Sequence, residues 1–249
     1  MENEIPSIKP PVHYRAGVFC ALTGNVKCEN IGYLTTVRKV ILMTAHSIRD
    51  AALFHFARDG YEGASLRAIA DEVGIKKPSI YAHFSGKDDL FLQTLAHAFK
   101  DVQRRTLEYF RVHADLPLEQ RLKGLLIWFE QEYNCNASAR FMLRMCYFPP
   151  LSLYSEVMDL VYPFLDGMER SLTRLLQRAT RKGELQAVPA EQAAITYMTF
   201  LDGITVEIIY GSSRRYRRRI EASWPVYWHG IHHLKQEALP VVLKGDSSS

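Results

Sequence analysis

The chain has 249 residues, is 47% hydrophobic and 23% charged, and carries a formal net charge of only +4. That length buries a sizeable core in one or two domains, and that charge excludes a generally basic coat for nucleic acid. No apolar run approaches the roughly 18 residues of a membrane-spanning helix, so no membrane partner is expected.

Residues 1–42 hold Pro6, Pro10, Pro11, Cys20 and Cys28 and show no sustained helical period, so they read as an irregular extension. VFCAL lacks the charged start and small-residue cleavage site of a secretory signal. The patterned region begins just after Met43, which is the expected natural start, with a flexible arm as the alternative. From Ile48 the apolar residues Ile48, Ala51, Ala52 and Phe56, with His55, recur at helical spacing, and Asp59-Gly60 ends that helix.

The stretch SLRAIADEVGIKKPSIYAHFSGK, Ser65 to Lys87, reads as two short helices joined by a tight turn. Ser65 is a suitable N-cap; Ile69, Ala70 and Val73 form one apolar face; Gly74 suits the left-handed residue that closes a helix. Pro78 fits the first turn of the second helix, and Ile80 and Phe84, four apart, turn to the core. Lys76, Lys77, Ser79, Tyr81 and His83 point elsewhere. This is the layout of a helix-turn-helix whose second helix enters the DNA major groove; the plainer reading is a helical hairpin with a solvated basic face. Ser85-Gly86 breaks the chain, Asp88 and Asp89 sit at the positive end of the next helix, and Leu90, Phe91, Leu95 and Phe99 carry that helix onward.

Residues 44–95, with AA…F…GY, then S-LR-IA-EVG, then SIYAHF…K-DL in this order and spacing, resemble the N-terminal domain of the tetracycline-repressor (TetR) family. His55 and Phe54 depart from the family pattern, and neither lies on the second helix of the motif. The resemblance implies an all-α fold, with a three-helix DNA-binding domain at 43–95 followed by a helical ligand-binding and dimerisation bundle at 96–240, and a tail at 241–249. It implies a homodimer that binds a double-stranded operator and is released by a small-molecule effector, while the cysteine spacing, without CxxC pairs, reads as reduced thiols of a cytoplasmic protein. Lys77, Pro78 and Ser79 are the candidates for base edges, and Lys76 belongs to the same DNA-binding set. Tyr81, His83, Lys87 and Ser65 are the candidates for phosphates. A DNA-binding protein of the same fold with a filled core and no effector is the alternative.

Beyond Leu95 the pattern is helix after helix, expected at about 118–133, 139–147, 154–181, 190–210 and 220–236. Trp128, Phe129, Tyr133, Phe141, Met145, Tyr162 and Met168 are the candidate lining of an effector pocket for an apolar or aromatic molecule, though core is the plainer role for each. Glu130 and Glu132 read as a solvated helix face or a charge filter for a cationic ligand. Phe200, Ile204, Ile208, Trp224, Tyr227, Trp228 and Ile231 are the expected dimer surface.

Arg214, Arg215, Arg217, Arg218 and Arg219 form the most basic run, expected in a solvated loop or paired with carboxylates across the dimer rather than on DNA. His229, His232 and His233 have metal-like spacing with only Glu237 to complete a set, so no metal is expected. Cys135 and Cys146 show no zinc or redox spacing and read as buried structural thiols, with a redox switch as the other reading. No nucleophile elbow, phosphate loop or HExxH is present, so neither catalytic residues nor a cofactor is expected.

Overall fold

The computed structural model describes residues 32–186 and 189–233, with side chains from 44 to 232. The chain divides into a unit of residues 1–40 and a unit of residues 41–249, and the following concerns the second. Among the described residues every regular element is a helix: α1 (Gly32–Gly63), α2 (Leu66–Val73), α3 (Lys77–Ile80), α4 (Lys87–Val112), α5 (Leu118–Cys135), α6 (Ala137–Tyr147), α7 (Tyr154–Arg181), α8 (Ala190–Ile209) and α9 (Ser213–His233), with a single 3-10 turn at Leu151–Leu153. The all-α expectation holds. Helix α1 starts earlier than the irregular extension allowed, because the breakers of that extension stop at Gly32. The irregular arm before Gly32 and the tail at 241–249 lie outside the described residues.

The unit has two apolar cores. The first joins α1–α3 to α6 and to the N-terminal halves of α4 and α7. Its centre is a triad of rings: Phe56 of α1 meets Phe91 of α4 edge-on at 5.0 Å, and Phe141 of α6 stacks on Phe56 at 5.9 Å and meets Phe91 at 5.4 Å. Burying three such rings removes enough apolar surface to fix the head formed by α1–α3 against the bundle. The second core joins α5, α8 and α9 to the C-terminal parts of α4 and α7. Four phenols stitch it: Tyr109 donates to the Arg121 carbonyl at 3.0 Å, Tyr197 to Leu122 at 2.8 Å, Tyr216 to Leu126 at 2.8 Å and Tyr227 to Ala193 at 3.2 Å. A buried hydroxyl needs such a partner, and a helical carbonyl has a second lone pair to offer. Burial pushes the phenols of Tyr197, Tyr216 and Tyr227 far up.

Helix ends follow local chemistry. Asn136 is at once the last cap of α5 and the first of α6; its carboxamide oxygen accepts from Ser138 at 2.7 Å and Ala139 at 3.3 Å. Helix α7 runs unbroken over its expected bounds, Pro163 included. Helix α9 begins at Ser213, not near Ile220, so the arginine run is its first two turns and not a loop.

Candidate nucleic-acid interface and effector cavity

The reading head is set by short-range interactions. The Ser65 hydroxyl accepts from the Ala68 amide at 3.1 Å and caps α2. Gly74 closes α2 in the left-handed region, φ 77° and ψ 28°, and the Ile75 amide reaches the Ala70 carbonyl at 3.0 Å. Lys76 then starts α3 with Pro78 in its first turn, and turns continue the coil to His83. Ile80 and Phe84 are 0% and 3% exposed, while Lys76, Lys77, Pro78, Ser79 and Tyr81 are all exposed. Two lysines, a hydroxyl and a phenol are thus offered to one side, from a helix that its own apolar face holds still.

Lys87 and His83 are half-buried, and Ser65 is exposed. Lys87 opens α4, with its ammonium 4.5 Å from the centre of the Tyr61 ring and 3.4 Å from the Glu62 carbonyl. The Tyr61 hydroxyl donates to the Asp88 carboxylate, and that bond carries the phenol up to about 12. Gly60, at φ 72° and ψ −177°, kinks α1 just before Tyr61. Tyr61, which supports Lys87 and Asp88, was not singled out from the sequence, although the GY pair already named in the motif contains it. Buried His55 lies 2.9 Å from the Glu72 carboxylate and 3.7 Å from Asp59, which is how a polar residue is tolerated at an apolar position.

Two cavities of about 280 and 290 Å³ lie in the bundle, sharing Phe164 and Met168 as a common wall. The first opens at the seam of the two cores, between α5, α6, α7 and α8; the second is a cleft between α4 and α7, closed by Leu125 of α5. Of the expected lining, Phe129 lines the first and Met168 both. Phe141 and Met145 are instead core, 0% and 1% exposed, because α6 turns that face to the reading head. Tyr162 is 59% exposed, Trp128 packs on Tyr109 at 5.4 Å, and Tyr133 is half-buried away from either cavity. Cys146, Asp202 and Thr205 of the first cavity were not among the expected lining; a lone carboxylate inside the apolar run of α8 was the signal for Asp202.

The acidic residues of α5 are neither a solvated face nor a cavity lining. Glu132, 9% exposed, takes a two-pronged pair from Arg105 of α4 at 2.6 Å, and Glu130, 3% exposed, pairs with Arg217 at 3.1 Å. Buried Glu207 of α8 holds Arg215 at 2.7 Å and Arg219 at 2.6 Å. The arginine run therefore pairs within its own chain, three of its five members bound to carboxylates of α5 and α8.

The expected dimer surface divides in two. Ile204, Trp224, Tyr227 and Ile231 are 1–7% exposed inside the second core, and Phe200, Ile208 and Trp228 are half-buried against it. Four bulky residues thus face the chain's own α5 and α7. The outward faces of α8 and α9 carry Ile195, Thr199, Val206, Ala222 and Val226. His229 and His232 each turn Nδ1 to a carbonyl of α9, Pro225 at 2.9 Å and Trp228 at 2.8 Å; the side chain of His233 lies outside the described residues. Cys135 is exposed rather than buried, and Cys146 is half-buried with its thiol pushed up to about 12 by burial.

The family model of bacterial regulatory proteins, tetR family, matches residues 48–94. Among curated proteins, the HTH-type transcriptional repressor AcnR of Corynebacterium diphtheriae is 42% identical over 50 residues, 20% of this chain and 26% of that one. The matched stretch thus spans about a quarter of that relative's length. Among solved structures, a TetR transcription regulator from Haloarcula marismortui superposes with a TM-score of 0.62 at 16% identity, over 76% of this chain and 98% of that one. The regulator FadR from Bacillus subtilis, solved in complex with stearoyl-CoA, superposes with a TM-score of 0.55 at 17% identity, over 75% and 99%. At such identities the likeness shows a shared fold.

Proposed function

We infer that this chain, whose residues 48–94 belong to the bacterial regulatory proteins of the tetR family, is a DNA-binding transcriptional repressor relieved by a small apolar molecule. The observation that carries this reading is α3: its core side is locked by Ile80 and Phe84, and its outer side offers Lys76, Lys77, Pro78 and Ser79 uncovered. Lysine donates to guanine O6 and N7, and serine to either base type. Tyr81, His83 and Lys87, with the α2 N-terminus at Ser65, are placed around that helix to meet phosphates. The chain works as a cytoplasmic homodimer, so that two heads read two half-sites. Its second copy meets the outward side of α8 and α9, where Ile195, Val206 and Val226 stand exposed.

The cavities support an effector over a filled-core DNA binder. The seam cavity touches α6 and not α4. Its occupant therefore acts through α6, whose Phe141 stacks on Phe56 and whose Arg144 donates to the Arg58 carbonyl of α1 at 3.3 Å. A molecule that fits only one placement of α6 shifts the population of the DNA-competent state.

Titration of the full chain against duplex DNA over a range of salt tests this reading. Lys87→Ala should weaken binding to all sequences and reduce the salt slope by about one unit. A loss confined to one sequence would remove Lys87 from the phosphate set, and no binding of duplex DNA at all would sink the reading.

A further inference from the structure

The seam cavity has a one-sided chemistry. Its apolar walls include Phe129, Phe164, Met142, Met168 and Met198, a mixture of aromatic faces and polarisable thioethers. Its polar groups are Tyr147, Asp202 and Thr205, with the weakly polar thiol of Cys146, and among the described residues no lysine, arginine or histidine lines it. The Tyr147 hydroxyl donates to the main-chain carbonyl of Asp202 at 3.3 Å, and the Thr205 hydroxyl to the carbonyl of Leu201 at 2.7 Å. Both hydroxyl protons are therefore spent on backbone, and what these side chains still offer the cavity is lone pairs. The Asp202 carboxylate only accepts when ionised. It lies at the open side of the cavity, and among the described residues no arginine or lysine pairs with it. Burial on its inner side raises its carboxyl above the usual range, as befits a charge lacking a partner. Glu130, Glu132 and Glu207, the other acids of this region, each hold an arginine.

We propose that the seam cavity binds a lipophilic amine, an apolar or aromatic body bearing one cationic nitrogen that donates to Asp202. This rests on the reading that the bundle takes an effector, and it names that effector's class. The aromatic faces add a second attraction for a cation, and the sulfur atoms adapt to the shape of its body. A carboxylate of the same shape meets three acceptors and only the weak S–H of Cys146 as a donor. The volume, about 280 Å³, lies at the lower edge of the range for small-molecule sites, so the body is compact.

Three probes with one body and different heads separate the claims: phenylbutylamine, phenylbutanol and phenylbutanoate, each titrated calorimetrically into the full chain at neutral pH. The amine should bind at least about tenfold more tightly than the alcohol, with the acid weakest. Asp202→Asn should abolish the amine's advantage while leaving the alcohol within about twofold of its original affinity. Met198→Trp, which fills the cavity, should remove binding of both. Alcohol and amine of equal affinity, an acid that binds best, or an amine preference that survives Asp202→Asn would overturn the charge selection while leaving the effector reading in place. Undiminished amine binding to the Met198→Trp protein would place the site elsewhere and overturn the proposal. Failure of all three probes to bind would overturn the cavity as an effector site and the amine class with it.

Discussion

Charges in this chain act in pairs set by burial, and the pairs decide which residues are free to act. Arg105 and Glu132 join α4 to α5 through two bonds of 2.6 Å. With Glu132 9% exposed, removing its partner leaves a carboxylate that water reaches poorly. Arg105→Ala should lower the unfolding free energy by about 1–3 kcal/mol in chemical denaturation, whereas Glu132→Gln with Arg105→Met together should recover part of it. An unchanged midpoint for Arg105→Ala would show the pair to be a solvated surface contact. Residue-scale reading of the sequence served the reading head and failed the bundle for one reason. Ser65, Gly74 and Pro78 act on neighbours within four residues, so type and spacing are sufficient. Arg217 and Glu130 are 87 positions apart, and only the packing of α5 against α9 brings them together.

At the scale of elements, two glycines with positive φ do different work: Gly74 (φ 77°, ψ 28°) is a left-handed helix cap, whereas Gly60 (φ 72°, ψ −177°) sits in a region open essentially to glycine alone. Gly74 has φ 77° and open space where a Cβ would stand, with nothing within 4 Å, so Gly74→Ala meets only the left-handed penalty, about 1–2 kcal/mol. Gly60 has φ 72° and would set its Cβ 2.9 Å from the Arg144 guanidinium. The guanidinium is the far end of a flexible side chain and can swing aside, so the backbone of Gly60 sets the difference: Gly60→Ala should cost more than Gly74→Ala in thermal unfolding, and Arg144→Ala should leave most of that gap; equal costs would contradict the backbone argument. Helix bounds such as Tyr154–Arg181 and the caps around Gly74 were legible because breakers and caps are local. The burial partners of the apolar residues on α8 and α9 were not. Apolar bulk on α8 and α9 marks burial and not the partner that provides it, and Trp224 and Tyr227 spend theirs on the chain's own second core. Likewise Phe141 and Met145 of α6 were legible as apolar residues, while the side chosen by Phe141 depended on Phe56 and Phe91 of distant helices.

For the whole molecule, the two cores predict different sensitivities. Tyr197, Tyr216 and Tyr227 have folded pKa values raised above that of an exposed phenol. A raised value means that their contribution is fully present below the unfolded pKa of about 10 and is lost as pH climbs through and beyond it. Unfolding free energy should stay level through neutral pH and fall above about pH 10, and Tyr197→Phe should soften that fall; a flat alkaline profile would contradict the stitching role. The first core carries the reading head, and sequence-selective binding of duplex DNA is the function assigned to that head. Selection of bound duplexes from a random-sequence pool tests it, with the intact chain and with Lys77→Ala run side by side. The intact chain should enrich a two-fold symmetric site with half-sites about one helical turn apart, and Lys77→Ala should relax the preference at one position of each half-site. A pool without enrichment, or one whose enriched sequence is untouched by Lys77→Ala, would contradict that assignment.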